Sequence, residues 1–274
     1  MQKKVTIAVA QAKTKSSDAE HNLRTAQKFL ARARKKRADL IVFPEDFTTN
    51  PVRGQPELVR AAPQYLARWK KLARTYQIDI ALGSLIEETP RGWRNVAYYI
   101  DRTGTVKGRY EKINLWHPER SYIRSGSKPC TFRTRFGKIG LAICWDIAFP
   151  DLFQHYLSQG VHIIICPSFW LKGDAGVGRK HAKNTEEHFV DTLAAARAVE
   201  TQSIFVFANA AGEYRYKNYR DSLIGHSQIS APFIGTVAKA AHNREALLVA
   251  QVDLGMLEDA ERAYKLRADA RRRT

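Results

Sequence analysis

Three reactive side chains of different types each follow an apolar strand or a hairpin of the predicted structure. Glu45 comes directly after the apolar run 40–44, Lys112 follows the hairpin strand that ends at Tyr110, and Cys144 ends the apolar run that begins at residue 140. A thiol with the ordinary pKa of about 8.5 is a weak nucleophile until a base, such as a carboxylate, removes its proton. An ammonium can stabilise the negative oxygen of a tetrahedral intermediate. Together the three residue types predict covalent acyl transfer through a thioester.

A tetrahedral intermediate also needs a hydrogen-bond donor beside the nucleophile. The backbone N–H of Trp145, directly after Cys144, is in the right place along the chain to be that donor. Taken alone, Glu45 could equally be a surface carboxylate and Lys112 a solvated lysine, since both are the usual states of these residues. The chemistry therefore depends on elements that bring the side chains together.

Short runs rich in valine and isoleucine alternate with amphipathic segments along the first part of the chain. Apolar residues three and four positions apart predict helices, the first of them capped by Ser17 or Asp18. Pro44 and Gly83 are expected to stop the strands before them. Strands and helices in alternation predict an α/β layered fold. The expected elements are a strand at 5–9, a helix at 23–33, a strand at 40–43, a helix at 66–76 and a strand at 78–82.

The middle of the chain has the pattern of an antiparallel hairpin, with a turn at 101–104 between strands at 96–100 and 105–110. No Pro/Ser-rich linker, repeat or low-complexity tract interrupts the sequence, so we expect one domain over residues 1–274 with a basic tail at about 268–274. The remaining expected elements are strands at 138–144, 161–166, 203–208, 224–230 and 247–252 and a helix at 186–200.

Three segments resemble motifs of the nitrilase, or carbon–nitrogen hydrolase, superfamily. They are residues 38–45, 108–115 and 140–146, the last followed by 149–151, and they occur in the family's order. The resemblance implies a four-layer α-β-β-α sandwich that assembles into homodimers or larger oligomers and needs neither a metal nor an organic cofactor. Shorter matches flank these motifs at 22–23, 83–84, 95–97, 196–200, 209 and 225–227, so the likeness extends from about Val5 to Arg267.

The resemblance also implies roles for individual residues. Cys144 resembles the family's nucleophile, Glu45 its general base and Lys112 its oxyanion stabiliser. Glu119 resembles a second acidic residue that many members place beside the lysine, where it could orient Lys112 or shuttle a proton. The loop after the strand at 161–166 often lines the family's substrate pocket. The candidate pocket walls in this sequence are Trp116, Trp145, Phe169 and Trp170.

Hydrolysis of non-peptide carbon–nitrogen bonds is the activity that the resemblance implies. An amidase acting on a small carboxamide is the leading hypothesis; an N-carbamoyl amidohydrolase and a nitrilase are the alternatives within the same chemistry. Many members carry an arginine where this chain has Ala148. In carbamoyl-amino-acid hydrolases that arginine can help to bind the substrate carboxylate. Its absence weakens the case for an anionic substrate at that subsite.

Basic residues outnumber acidic ones, because 45 Lys and Arg against 27 Asp and Glu give a net charge of +18. Such a surplus is typical of nucleic-acid-binding proteins, so binding of nucleic acid or of an acidic partner is the hypothesis from a different functional class. The charge clusters at 32–37 and at 271–273, but no aromatic-interleaved platform or binding motif accompanies it. We therefore expect a small-molecule amide-type substrate and no nucleic-acid partner.

The histidines and cysteines indicate neither a metal site nor a disulfide framework. None of the eight histidines has a metal-like spacing partner, and three cysteines form an odd, unpatterned set. His117 or His188 paired with Cys144, as in cysteine proteases, is the alternative catalytic arrangement. No stretch approaches the roughly 20 apolar residues of a membrane span, and the first apolar run is too short for a signal peptide. We expect a soluble cytoplasmic protein without membrane contact.

Overall fold

The computed structural model describes residues 2–272, in which strands and helices alternate as the sequence pattern predicts. The strands are β1 (Lys4–Gln11), β2 (Leu40–Val42), β3 (Asp79–Thr89), β4 (Gly92–Ile100), β5 (Val106–Glu111), β6 (Cys130–Thr134), β7 (Gly137–Leu141), β8 (Ile163–Ser168), β9 (Ile204–Asn209), β10 (Glu213–Tyr216), β11 (Tyr219–Ser222), β12 (Gln228–Ala231), β13 (Gly235–Lys239) and β14 (Ala246–Asp253). The α-helices are α1 (Ala19–Lys35), α2 (Pro56–Arg60), α3 (Ala62–Tyr76), α4 (Pro150–Ser158), α5 (Thr185–Thr201), α6 (Gly255–Tyr264) and α7 (Leu266–Arg271). Short 3₁₀-helices lie at His117–Ser121, Cys144–Ala148 and Lys172–Lys180.

The first helix forms where its capping and apolar signals predict. The Asp18 side chain accepts a hydrogen bond from the backbone N–H of His21, 2.9 Å away, which satisfies a donor of the first turn. Leu23 and Leu30 on one face of α1 are buried, whereas the basic residues of its last turn are exposed and complement the helix dipole. The cluster at 32–37 therefore marks a helix end on the surface.

Two six-stranded sheets hold most of the strands. The first has the order β14-β1-β2-β3-β4-β5 and the second has the order β13-β12-β9-β8-β7-β6. In the first sheet β1, β2 and β3 are parallel, and in the second β7, β8 and β9 are parallel. The carboxyl ends of parallel strands share one edge of a sheet, which is where α/β proteins place functional side chains.

The two sheets pack face to face, and helices cover their outer faces. Along β1, Val5, Ile7 and Val9 belong to the core between the sheets, whereas Ala8 and Ala10 pack in a second core with α1 and α3. Helices α4 and α5 contribute buried residues to the core beside the second sheet. The expected four-layer α-β-β-α sandwich is confirmed, and a single domain over 1–274 stays a prediction.

One strand continues through the residue that was expected to end it. Gly83 has a φ of +86° and lies within a register shift between Ala81 and Ser84, so β3 bulges there and runs on to Thr89. A Cβ atom at Gly83 would stand 1.7 Å from the carbonyl oxygen of Pro44. The glycine therefore lets the backbone just before Glu45 approach β3 closely.

Other boundaries differ from the sequence-based expectation. The strand expected at 138–144 ends at Leu141, because the chain turns into a 3₁₀-helix at Cys144. The strand expected at 224–230 begins only at Gln228. The hairpin of β10 and β11 was not expected, since its strands are only four residues long.

The basic tail expected at 268–274 is helical as far as Arg271. Arg267 anchors α7 by donating hydrogen bonds from Nη2 to the carbonyl oxygens of Val161 and Gln202, at 3.2 and 2.7 Å. Residues 273 and 274 lie outside the described residues, so the cluster at 271–273 is described only in part. Within residues 2–272 no helix has the length and apolar character needed to cross a membrane.

Candidate active site

Glu45 lies where the turn after β2 meets the end of β8 in the other sheet. Its backbone N–H donates to the carbonyl oxygen of Ser168 at 3.3 Å, and its Oε2 accepts from the backbone N–H of Phe169 at 3.0 Å. The residue is 3 % exposed. Both sheets therefore hold this carboxylate in one orientation.

Lys112, the first residue after β5, lies between two carboxylates. Its Nζ is 2.8 Å from Oε1 of Glu45 and 2.7 Å from Oε2 of Glu119, and the lysine is 1 % exposed. The side-chain amide of Asn95 on β4 donates to both Glu45 and Glu119, at 2.8 and 3.2 Å. Buried charges need this degree of pairing to be tolerated. Together these four side chains form a buried polar network.

Cys144 starts the 3₁₀-helix after β7 with a left-handed backbone, at a φ of +48°. A non-glycine residue in this region is strained, and such residues occur at sharp turns that expose a functional side chain. Asp146 holds the turn, because its carboxylate accepts hydrogen bonds from the backbone N–H groups of Ile143, at 2.9 Å, and Asn114, at 2.8 Å. Asn114 follows Lys112 by two residues, so Asp146 ties the cysteine turn to the lysine segment.

The thiol of Cys144 lies beside the Glu45 side chain and the Phe169 backbone. Cys144 lines a cavity of about 680 Å³ that Glu45, Lys112 and Glu119 also line. A thiol, a carboxylate and an ammonium thus share one bounded space, which is the geometric requirement for concerted covalent chemistry.

Burial and the mutual charges of these groups set their protonation states. Burial raises the pKa of Cys144 well above its usual value, and the negative charge of Glu45 raises it further. Burial also raises the pKa of Glu45, against the opposing charge of Lys112. Burial alone would lower the pKa of Lys112, but Glu119 and Glu45 reverse this effect and leave the pKa well above its usual value. The resting site therefore holds a neutral thiol beside a charged lysine.

Among residues 2–272, eight aromatic side chains line the cavity. Trp145 packs edge-on against Trp116 with ring centroids 4.7 Å apart and lies 5.8 Å from Trp170. Trp170 is held by hydrogen bonds from its backbone N–H to Asn209, at 2.8 Å, and from its indole to Glu186. Phe169 and the three tryptophans all line the cavity, together with Tyr122, Tyr214, Tyr216 and Tyr219.

The structure brings together the predicted glutamates, lysine, cysteine and aromatic residues, but not the histidines. His117 is exposed and stacks on Trp116 at 4.6 Å, and His188 is exposed on α5. Neither is among the residues that line the cavity. The alternative pairing of Cys144 with either histidine therefore has no geometric support.

Sequence reasoning missed three polar residues of the site. Asn95 and Asp146 lie inside segments that matched the family's motifs, and that match was the available signal for both. Asp46 had a signal of its own, because a carboxyl directly after Glu45 would follow the same apolar strand to the same sheet edge. The structure shows Asp46 as 4 % exposed on the cavity wall.

The fold and the site define an α/β enzyme with a buried cysteine, carboxylates and a lysine at one cavity. The chain belongs to the carbon–nitrogen hydrolase family, whose family model, "Carbon-nitrogen hydrolase", matches residues 6–262. It is therefore an enzyme that acts on carbon–nitrogen bonds.

Several named proteins and one solved structure are similar to this chain. A probable nitrilase of Schizosaccharomyces pombe is 28% identical over 95% of this chain and 93% of its own length. A deaminated glutathione amidase of Escherichia coli O157:H7 is 28% identical, covering 85% of each chain, and an N-carbamoylputrescine amidase of Arabidopsis thaliana is 27% identical over 93% of this chain and 89% of its own. The crystal structure of a Helicobacter pylori carbon–nitrogen hydrolase shares the fold with a TM-score of 0.84 at 23% identity, covering 97% of this chain and 95% of its own.

Proposed function

We propose that the enzyme is an amidase that hydrolyses a small carboxamide through a thioester on Cys144. The observation that carries this proposal is the buried network in which Glu45 contacts both the Cys144 thiol and, at 2.8 Å, the Lys112 ammonium. In this assignment Cys144 is the nucleophile and Glu45 the general base. Lys112 and the backbone N–H of Trp145 stabilise the oxyanion.

The reaction begins when Glu45 takes the thiol proton and the Cys144 sulfur forms a bond to the amide carbon. Lys112 and the Trp145 N–H hold the resulting oxyanion. The carbon–nitrogen bond then breaks, Glu45 returns the proton to the leaving nitrogen, and ammonia departs from a thioester. Glu45 next removes a proton from water, the hydroxyl adds to the thioester carbon, and the sulfur leaves with that proton. The products are a carboxylic acid and ammonia, and the enzyme returns to its starting state.

The donor count of Lys112 supports its proposed role. An ammonium has three N–H donors and no acceptor. Two of the donors are directed at Glu45 and Glu119, at 2.8 and 2.7 Å, which leaves the third for a substrate oxygen. Glu119 is held in turn by the backbone N–H of Trp116 at 2.7 Å. We infer that Glu119 is a positioning residue that directs the lysine at the reacting carbon.

The same network can process an N-carbamoyl substrate, which is the alternative within this chemistry. Attack on the ureido carbon releases ammonia first, and hydrolysis of the carbamoyl thioester then gives an amine and carbon dioxide. The similarity to an N-carbamoylputrescine amidase favours keeping this alternative, and the similarity to a probable nitrilase keeps nitrile hydrolysis as another.

The test uses purified protein with a panel of carboxamides, ureido compounds and nitriles. We expect the wild-type enzyme to release ammonia and to gain the mass of the acyl or carbamoyl group, mapped by peptide analysis to Cys144. Cys144→Ala should abolish both signals. The matched control is Cys130→Ala, a half-buried cysteine outside the cavity, which should keep both. Ammonia release by the Cys144→Ala variant would contradict the proposal.

We further propose that the enzyme is cytoplasmic and works as a homodimer or larger homo-oligomer. Three unpaired cysteines are compatible with a reducing compartment. Phe233 and Tyr264 are exposed and pack against each other at 5.5 Å, beside the exposed Ile234, and such an apolar patch is suited to a subunit interface. Light scattering during gel filtration measures the oligomeric mass, and a monomer would contradict this part of the proposal.

A further inference from the structure

The cavity is rich in carboxyl groups, whereas the protein as a whole is basic. The chain has a net charge of +18, but among residues 2–272 the cavity lining combines four buried or half-buried carboxyl groups with a single buried lysine. The other two cations on the lining, Arg53 and Lys217, have exposed side chains. The four carboxyl groups are those of Glu45, Asp46, Glu119 and Asp174, and the lysine is Lys112.

Asp46 is the buried carboxyl that the proposed mechanism does not use. Its Oδ1 accepts a hydrogen bond from the hydroxyl of Ser84 at 3.0 Å, and that hydroxyl also accepts from the Asp46 backbone N–H at 3.0 Å. Within residues 2–272 its Oδ2 has no hydrogen-bond partner and no cation forms an ion pair with it. Asp46 is 4 % exposed and lines the cavity. A buried carboxyl without a cation is costly unless a ligand supplies one.

Asp174 is a second carboxyl on the cavity wall, and it is half-buried. It lies in the 3₁₀-helix Lys172–Lys180 beyond β8, and its Oδ2 accepts only from the backbone N–H of Leu171, at 3.1 Å, among residues 2–272. Ion pairs in the described part of the chain do not include it. Tyr122, Tyr214 and Tyr219 line the same cavity, and tyrosine faces attract organic cations. The polar and aromatic features of the wall thus favour the same kind of ligand.

We propose that the substrate of this enzyme is an amide or ureido compound that carries an ammonium group, which Asp46 and Asp174 recognise inside the tyrosine-lined cavity. The inference rests on the proposed amidase function and specifies its substrate class. The cation is organic rather than metallic, because residues 2–272 contain no group of three or more side chains arranged to ligate a metal ion.

The electrostatics of the cavity give the proposal a second readout. Burial and then the charge of Glu45 raise the pKa of Asp46 well above its usual value, and burial raises the pKa of Asp174 to about 7. A bound ammonium stabilises the ionised form of both carboxyls. Binding of the cationic ligand should therefore release protons, which calorimetry in buffers of different ionisation enthalpy detects.

The experiment measures binding to the Cys144→Ala protein, so that it does not depend on turnover. Three ligands of the same length differ only at the end remote from the amide: 4-aminobutanamide is cationic, pentanamide is neutral and 5-amino-5-oxopentanoate is anionic. A short homologous series of each covers the unknown depth of the subsite. We expect the best cationic member to bind about 10-fold to 100-fold more tightly than its neutral partner, as a charge-assisted hydrogen bond allows, and the anion to bind most weakly.

Asp46→Asn in the same background should reduce the preference for the cation about tenfold or more and reduce proton release. The amide oxygen of asparagine can still accept from the Ser84 hydroxyl. Asp174→Asn is the second variant, so that a folding defect in one variant does not decide the outcome. Circular dichroism checks that both variants are folded. The control is Asp259→Asn, an exposed carboxyl on α6 that should leave the preference unchanged.

Neutral ligands that bind as tightly as cationic ones, or a preference that survives both substitutions, would overturn the inference. Failure of every ligand to bind would overturn it as well. These outcomes are separate from the proposed function, because ammonia release by the wild-type enzyme and its loss in Cys144→Ala would still support an amidase.

Discussion

Asp146 offers the sharpest test of how the cysteine turn is held. The residue is completely buried, and its carboxylate accepts hydrogen bonds from two segments of the chain. Asp146→Asn keeps the shape and one acceptor oxygen but replaces the other oxygen with an N–H donor. The four bonds are from the backbone N–H of Ile143 (2.9 Å), the backbone N–H and the side-chain amide of Asn114 (2.8 and 2.9 Å) and the hydroxyl of Tyr110 (2.8 Å).

The structure sets the size of the effect. Oδ1 serves both Asn114 donors, so the substitution removes the acceptor of the Ile143 N–H and of the Tyr110 hydroxyl. Hydrogen bonds to a charged group contribute about 1.5 to 3 kcal/mol each, so the gross loss is about 3 to 6 kcal/mol. Relief from burying the carboxylate, whose pKa burial raises, offsets part of this loss. We expect the free energy of unfolding to fall by about 2 to 4 kcal/mol.

The same change should slow catalysis in molecules that remain folded. A displaced turn misplaces the Cys144 sulfur, and a misplacement of about 1 Å costs on the order of 100-fold in rate. Urea unfolding followed by tryptophan fluorescence measures the free energy, and kcat is measured well below the unfolding transition. Asp259→Asn is the control and should change the free energy by less than about 0.5 kcal/mol. A loss below about 1 kcal/mol together with a normal kcat would refute the idea that Asp146 holds the turn.

Two further predictions follow from the environment of Glu45. Because the proposed base must be unprotonated and burial raises its pKa, kcat/KM should fall as the pH is lowered through a value above the ordinary 4.5. The charge of Glu119 contributes to the raised pKa of Glu45, so the fall of kcat/KM should occur at lower pH in the Glu119→Gln variant. A wild-type kcat/KM that falls only at or below pH 4.5 would contradict this assignment. Gly83→Ala should destabilise the protein by more than about 2 kcal/mol and lower kcat, because the new Cβ meets the Pro44 carbonyl oxygen and the backbone has a positive φ. Thermal unfolding checks this prediction. Gly54→Ala is the control, because Gly54 also has a positive φ but open space where a Cβ would stand, so this variant measures the backbone strain without the steric clash.

Sequence patterns anticipated the elements whose signals are local. The 3.6-residue spacing of apolar side chains and the Asp18 cap predict α1, and the alternating residues of β1 predict a strand. Signals of this kind fail where a contact distant in sequence overrides them. Gly83, whose neighbour in space is Pro44, does not stop β3.

The residues of the candidate site were present in the sequence, but their arrangement was not. Motif resemblance singled out Glu45, Lys112 and Cys144 individually and assigned them to a known chemistry. Only the sheet pairing places Lys112 against Glu45, 67 residues away along the chain. That no cation among residues 2–272 forms an ion pair with Asp46 likewise depends on every element around the cavity, so no short window of sequence could reveal it.

The amino-acid sequence by itself determined the alternation of strands and helices, the reactive residue types at the strand ends and the family to which the chain is similar. These properties depend on spacing and residue type over a few positions, which each segment carries within itself. The tertiary structure decided which carboxyls share the lysine, how Asp146 holds the cysteine turn and that a carboxyl-rich cavity lies inside a basic protein. Those features arise from contacts between distant segments, whose energies exist only when the two sheets have packed together.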